Sequence, residues 1–443
     1  MKFISILLGK IVLFLCEKLG RGSAFPGTFV YKINKNILKQ FERPKQVIAV
    51  TGSSGKGSTT RIIADVYKNL GYKVAYNDKG SNERSAIITT LLKHSTLFGK
   101  TKVDVAIFEM DERYAKYVFP FFKPNYVVIN NITRDQPPRQ GHFDIVLNEI
   151  LKSLDSSMHL ILNADDPYLQ KINLNNEYKV TYFGIDKLND SYKENKFPSL
   201  NISRCLKCNE TLDYNYYHIE YLGDYKCPKC DFKRPIPEYK ITNFKNNKII
   251  INEKYEIELN NDMLFNLYNT LGAFTALALL DIPLDKAQDI ITNINKDTKI
   301  YDKYKYNKND VYVLNNKNEN ATTFNQSVLY TSNKKGKKKI VIGWWQISRR
   351  YDFDDLSWLY DIEFELLNTN DVDSFIVCGP QRYDIAVRLK NANIDNKKIK
   401  IYEDLYKAEK EIKKGNNDIY AILNFDYIKP FNNIMKGDKW WNL

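Results

Sequence analysis

The chain has 443 residues, 43% hydrophobic and 27% charged, which is enough for two or three domains with sizeable cores and excludes a disordered or fibrous chain. Its net charge of +13 leaves nucleic acid, anionic lipid and phosphorylated substrates open as partners. Lysine and asparagine are scattered along the whole chain, and the only short dense run is Lys334-Lys335-Gly336-Lys337-Lys338-Lys339, so charge alone selects none of them.

The first segment, residues 1–44, begins with an apolar run from Met1 to Cys16 that is interrupted by Lys10 and lacks a small-residue cleavage site. No stretch reaches the length of a membrane span. Ile4, Leu7, Leu8, Ile11, Val12, Leu15 and Leu19 share one helical face. That face is expected to pack on its own domain, with shallow contact to a membrane surface as the alternative.

Residues 45–300 are expected to form the central domain. Strand-like runs at Val47 to Val50, Val74 to Tyr76, Val103 to Phe108, Tyr126 to Ile129 and Leu160 to Leu162 alternate with helical patterns. This rhythm predicts an α/β fold with a parallel sheet covered by helices, which binds ligands at the carboxyl ends of its strands. Between the first strand and a helix stands Gly52-Ser53-Ser54-Gly55-Lys56-Gly57-Ser58-Thr59. Glycines let the backbone N–H groups close on phosphate oxygens, and the following helix N-terminus adds positive potential. Lys56 suits the outer phosphates of ATP and Ser58 suits Mg²⁺. The spacing is shorter than the common G-x-x-x-x-G-K-[ST] loop.

The rhythm breaks at about 201–235, where Cys205-Leu206-Lys207-Cys208 is followed, with 18 residues between, by Cys227-Pro228-Lys229-Cys230. Two C-x-x-C knuckles at this spacing fit a tetrahedral Zn²⁺ site. Four thiolates leave no open coordination position, so the site is expected to be structural. The other two cysteines, Cys16 and Cys378, stand alone. A second alternation, with strands at 340–342, 375–377, 399–401 and 419–423, predicts a Rossmann-like C-terminal domain over residues 301–443.

Several strings together resemble the Mur ligase family. The short phosphate loop is similar to that family's G-T-x-G-K form. Glu109 closes the strand after which Mur ligases place a Mg²⁺-binding glutamate. Asn163-Ala164-Asp165-Asp166-Pro167 matches a segment of their central domains, and Phe265-Asn266-Leu267-Tyr268-Asn269 matches an F-N-x-x-N helix that implies adenine contacts for Asn266 and Asn269. Within the family, three features resemble the MurT branch. They are Asn131-Ile132-Thr133-Arg134-Asp135-Gln136, the Cys₄ ribbon inside the central domain, and Asp355-Leu356-Ser357-Trp358-Leu359-Tyr360-Asp361.

The resemblance implies a catalytic set of Lys56, Glu109 and Asp355. ATP would convert the α-carboxylate of D-isoglutamate in the lipid II stem to an acyl phosphate, which ammonia converts to the amide. The ammonia would come from a GatD-like class I glutaminase, whose histidine Asp355 would orient across the interface. The implied site of work is cytoplasmic, at the inner face of the membrane. Residues 318–325 and 343–350 depart from the family pattern, the first lacking its Lys, Pro and Gly. A stand-alone Mur-type ligase that joins an amino acid, and a zinc-ribbon ATPase that binds nucleic acid, are the alternatives. The second lacks an aromatic, basic stacking platform.

Overall fold

In the computed structural model, residues 1–20, 24–78, 81–134, 142–175, 177–200, 203–297, 302–317, 320–345 and 355–437 are described, apart from the side chains of 296, 297 and 302. Asp135, Gln136, Asn318, Glu319, residues 346–354 and the pair Trp440-Trp441 therefore lie outside the described residues.

Five strands follow the expected rhythm, β1 Gln46–Thr51, β2 Val74–Tyr76, β3 Val105–Glu109, β4 Tyr126–Ile129 and β5 His159–Asn163, and a sixth that the pattern did not mark, β6 Lys179–Ile185, comes after them. β7 Asp213–Ile219 and β8 Leu222–Lys226 form a separate antiparallel pair, the ribbon. β9 Tyr239–Lys245, β10 Lys248–Ile251 and β11 Tyr255–Glu258 then return to the main sheet. Its order is β11-β10-β9-β6-β5-β4-β1-β3-β2. All neighbours from β2 to β9 run parallel, and β9, β10 and β11 run antiparallel at one edge.

Side-chain alternation in β1 shows why this sheet is buried on both faces. Ile48 and Val50 enter one core with Ile62 and Ile63, while Val47 and Ala49 enter the other with Ile87 and Leu92. The helices that cover it are α1 Lys2–Lys18, α2 Phe25–Ile33, α3 Ile37–Gln40, α4 Lys56–Asn69, α5 Arg84–Lys93, α6 Phe143–Leu151, α7 Leu264–Ala278 and α8 Leu284–Asp297.

The second sheet is built from β12 Asp302–Tyr306, β13 Asn309–Asn316, β14 Lys338–Gly343, β15 Val372–Cys378, β16 Ile399–Tyr402 and β17 Asp418–Asn424. Its order is β12-β13-β17-β14-β15-β16, parallel except for the β12–β13 hairpin. Helix α9 Ala321–Asn333 packs beside it and toward the ribbon. Trp344 and Trp358 are buried together with Phe324 in this domain's core, whereas Trp345 is exposed.

The orientation of α1 corrects the sequence expectation. The helix packs through Ser5, Ile6, Gly9 and Leu13, and Ile4, Leu8, Ile11, Leu15 and Leu19 all face solvent. Small residues decide this. A Cβ on Gly9 would lie 2.4 Å from Val30 Cγ2, so only glycine permits so close an approach to α2. Ser5 Oγ accepts from the buried Asn34 Nδ2 at 3.1 Å. An all-apolar helix has two faces to choose from, and the narrower one fits the neighbours.

Candidate functional site

The phosphate loop sits where β1 turns into α4, at the carboxyl end of the parallel sheet. Gly55 has φ +82°, and a Cβ there would stand 1.9 Å from Asn269 Oδ1, so both backbone and space require glycine. The loop is held from behind by the end of β4. Ser53 N donates to Asn131 O (3.0 Å) and Ser54 N to Asn131 Oδ1 (2.9 Å). Asn130 Nδ2 donates to Thr59 Oγ1 (2.9 Å) and lies 3.4 Å from Asn269 Oδ1. Asn269 thus braces the back of the loop. Asn266, the third residue of the same helix, is buried and donates to Asn260 Oδ1 at 3.3 Å.

Lys56 is buried with its ammonium group against the loop. Nζ donates to Gly52 O (2.5 Å) and pairs with Glu112 Oε1 (2.7 Å), with 8% and 1% of the two side chains exposed. Glu112 closes the Glu109-Met110-Asp111-Glu112 string, yet sequence reasoning singled out only its first residue. A second cation arrives from the other domain, as Lys317 Nζ donates to Ser53 O at 3.1 Å. The stretch from 318 to 325 lacks a lysine, but Lys317 immediately before it reaches the phosphate loop.

Glu109 ends β3 beside the first turn of α4. Asn82 Nδ2 donates to its Oε1 (2.9 Å), and its Oε2 lies 2.9 Å from the position a Cβ on Gly57 would take. Asn77 clasps its backbone from both sides, donating to Glu109 O and accepting from Glu109 N, each at 2.9 Å. Ser58 is half-buried in that same first turn. A carboxylate and a hydroxyl beside a helix N-terminus are hard oxygen donors that suit Mg²⁺.

The four ribbon cysteines converge. Their sulfurs all lie within 4.8 Å of one another, with Cys205–Cys230 and Cys208–Cys227 at 3.5 Å and Cys208–Cys230 at 3.7 Å. A tetrahedral Zn–S bond of about 2.3 Å puts sulfurs roughly 3.8 Å apart, and a disulfide needs about 2.05 Å, so the spacing fits a metal and not a bridge. In each knuckle the N–H two residues after the first cysteine points at its sulfur, Lys207 N to Cys205 and Lys229 N to Cys227, both at 3.4 Å.

What the ribbon braces is visible at both ends. Arg234, just past the second knuckle, donates from Nε to Asp165 Oδ1 at 2.6 Å, with 10% and 0% of the side chains exposed. Asp165 Oδ2 also accepts from Tyr268 OH and Ile185 N, each at 2.8 Å. At the ribbon's tip, Glu220 accepts from Thr322 Oγ1 (3.0 Å) and Asn325 Nδ2 (2.8 Å) on α9. Burial pushes the Glu220 carboxyl up to about 7, and burial likewise pushes Asp166 up to about 7 against the N–H groups of Ile132, Tyr168 and Leu169 that favour its charged form.

The two domains also meet through the remaining motifs. Arg134 Nη1 pairs with Asp361 Oδ2 (2.6 Å), and its Nη2 donates to Ser357 Oγ (2.7 Å). Asp355 is half-buried and accepts from Ser357 N at 2.9 Å, so it holds the start of a short 3₁₀ turn, Ser357–Asp361. His142 caps α6, its Nδ1 accepting from Asp144 N. Cys378 is buried at a strand end, and burial pushes its thiol up to about 12.

Residues 50–226 match the model of the Mur ligase middle domain, and residues 318–427 match that of the MurT ligase C-terminal domain. The chain is 27% identical over 417 residues to the lipid II isoglutaminyl synthase (glutamine-hydrolyzing) subunit MurT of Staphylococcus aureus strain COL, covering 93% of this chain and 92% of the relative. It is 27% identical over 456 residues to the subunit of the same name from Streptococcus pneumoniae, covering 98% and 96%. Among solved structures, a pseudomurein peptide ligase type C from Methanothermus fervidus superposes with a TM-score of 0.70 at 22% identity, over 91% of this chain and 81% of that one. The MurF ligase of Thermotoga maritima, in complex with ADP, superposes with a TM-score of 0.60 at 16% identity, over 93% and 84%.

Proposed function

The chain belongs to the Mur ligase family as a protein of the MurT type, and from that premise we propose that it amidates the D-isoglutamate α-carboxylate of the lipid II stem peptide. It is an ATP-dependent ligase, and the reaction we assign it has two displacements. The stem carboxylate oxygen attacks the γ-phosphorus of ATP and ADP leaves. Ammonia then attacks the acyl carbon of the acyl phosphate, inorganic phosphate leaves, and the nitrogen loses a proton.

The observation that carries this reading is the convergence of two cations, Lys56 and Lys317, on the backbone of the Gly52–Thr59 loop, with Glu109 beside the helix that follows. Phosphoryl transfer needs little covalent help from a protein, and catalysis is mostly charge stabilisation and positioning. The loop N–H groups beyond those of Ser53 and Ser54, together with Lys56, would hold the polyphosphate, and Lys317 brings the C-terminal domain onto it. Glu109 and Ser58 would hold Mg²⁺, which when bound neutralises charge on the transferred group. Asn131 keeps the loop open in shape by taking up the Ser53 and Ser54 N–H groups from behind. The four ribbon cysteines would hold Zn²⁺ as a brace, since the ribbon ties β5 and β6 to α9.

The ammonia is assigned to a GatD-like class I glutaminase. Support comes from the cysteines. Cys378 is buried with a raised thiol pKa, Cys16 lies on α1, and the other four form the cluster, so none offers an activated nucleophile for hydrolysing glutamine. Asp355 is proposed to orient the partner's catalytic histidine. The test is turnover. Lys56→Ala and Glu109→Ala should each abolish substrate-dependent ADP formation, and full turnover in either variant would place the nucleotide elsewhere.

A further inference from the structure

We propose that the outward face of α1 is a membrane-docking surface that lies in the headgroup region of an anionic bilayer. The exposed residues form a contiguous stripe. Ile4 (57% exposed), Leu8 (38%), Ile11 (49%), Leu15 (53%) and Leu19 (75%) follow the helical repeat, flanked by Phe3 (41%) and Phe14 (57%). Phe98, 67% exposed on the loop after α5, extends the patch with its ring centroid 5.4 Å from that of Phe3. A helix with one face packed on its own domain and the other apolar and open is an interaction surface. Among the described residues no helix is long and apolar enough to cross a membrane, so the helix lies on a surface instead of spanning it.

Charge selects the occupant. Between Met1 and Arg43 the sequence carries eight lysines and arginines against two glutamates. At the rim of the stripe Phe14 is paired with a cation, as Lys18 Nζ lies 4.6 Å over its ring. Such a rim complements anionic headgroups while the apolar stripe enters the acyl boundary. A symmetric pairing with a second copy would instead bring two cationic segments face to face. The purpose of this surface, holding the enzyme beside a lipid-linked substrate, rests on the proposed function. The surface itself does not.

The test is co-sedimentation of the full chain with phosphatidylcholine vesicles, with and without phosphatidylglycerol. The chain should bind the anionic vesicles at least about tenfold more strongly than the neutral ones, and less strongly in high salt. Ile11→Glu combined with Leu15→Glu alters only exposed side chains. It should lower binding by at least about tenfold while leaving the unfolding temperature and the amidation of a stem peptide without lipid unchanged. Failure of the chain to bind anionic vesicles, equal binding by the double variant, or a solution dimer that the double variant abolishes would each overturn the proposal. If the lipid-free stem peptide is not amidated but vesicle binding is present, the proposed function fails and the docking surface stands.

Discussion

Asp165 sits in a string that sequence alone reads only as a family mark, and the structure gives it a job whose removal should be costly. It is fully buried and makes three contacts, to Arg234 Nε at 2.6 Å and to Tyr268 OH and Ile185 N at 2.8 Å. Asp165→Ala leaves a guanidinium that is 10% exposed without its carboxylate, and leaves a buried phenol and a buried N–H without an acceptor. Breaking one side of a buried pair costs roughly 3 to 5 kcal/mol. For a cooperative unit of about 200 residues, at about 2–4 °C per kcal/mol, that is a fall of roughly 6 to 20 °C in the unfolding temperature. Arg234→Met replaces the charged arm with an apolar one of similar reach, and the double variant should be less destabilised than the sum of the two singles, because it leaves no uncompensated charge. Thermal unfolding followed by circular dichroism measures all three. A drop under about 2 °C for Asp165→Ala, or strict additivity in the double variant, would refute the claim that this pair ties the ribbon to the sheet.

The ribbon should contain one zinc per chain, and Cys208→Ser should lose the metal and lower stability, because metal binding supplies much of a small ribbon's folding energy. Elemental analysis decides it, with metal-free wild-type protein as the contrary result. Glu220 should make stability depend on pH: with its carboxyl pushed up from 4.5 to about 7, its contribution is fully present below about 4.5 and is lost as pH rises through 7. Unfolding temperatures from pH 5 to 8 should therefore fall less steeply in Glu220→Gln than in the parent, and identical slopes would contradict the assignment. Asp355→Asn keeps the bond from Ser357 N but cannot balance an imidazolium. Assembly with the glutaminase and ATP binding should survive while glutamine hydrolysis collapses, and unimpaired hydrolysis would remove Asp355 from the partner's site.

Local features were legible in the sequence. A β-branched run, a glycine-rich turn and an amphipathic helix follow one another without a break, so β1, the loop and α4 could be placed by pattern. The cysteine knuckles were legible for the same reason, since spacing within each pair dictates the geometry. Residues whose role depends on distant partners were not. Glu112 meets Lys56 across 56 positions, Lys317 meets Ser53 across 264, and Asp165 meets Arg234 across 69. Glu220 looks like an ordinary turn residue until α9 arrives to cover it. The α1 face failed for a different reason. Periodicity assumes one apolar side, and in a helix apolar nearly all round, Gly9 and Ser5 decide the packing by size. The antiparallel edge of β9 to β11 and the β12–β13 hairpin escaped because β9 and β12 are interrupted by polar and charged residues and β10 and β11 are only four residues long, so they carry little periodic signal.

The central claim is that this chain turns a stem-peptide carboxylate into an acyl phosphate before nitrogen arrives. Stem peptide labelled with ¹⁸O in the D-isoglutamate α-carboxylate tests it directly, in the presence of ATP, Mg²⁺ and ammonium ions as the nitrogen source. Each inorganic phosphate released with the amide should carry one ¹⁸O from the carboxylate, seen by mass spectrometry or by the ³¹P shift. Amide formation with unlabelled phosphate would contradict it.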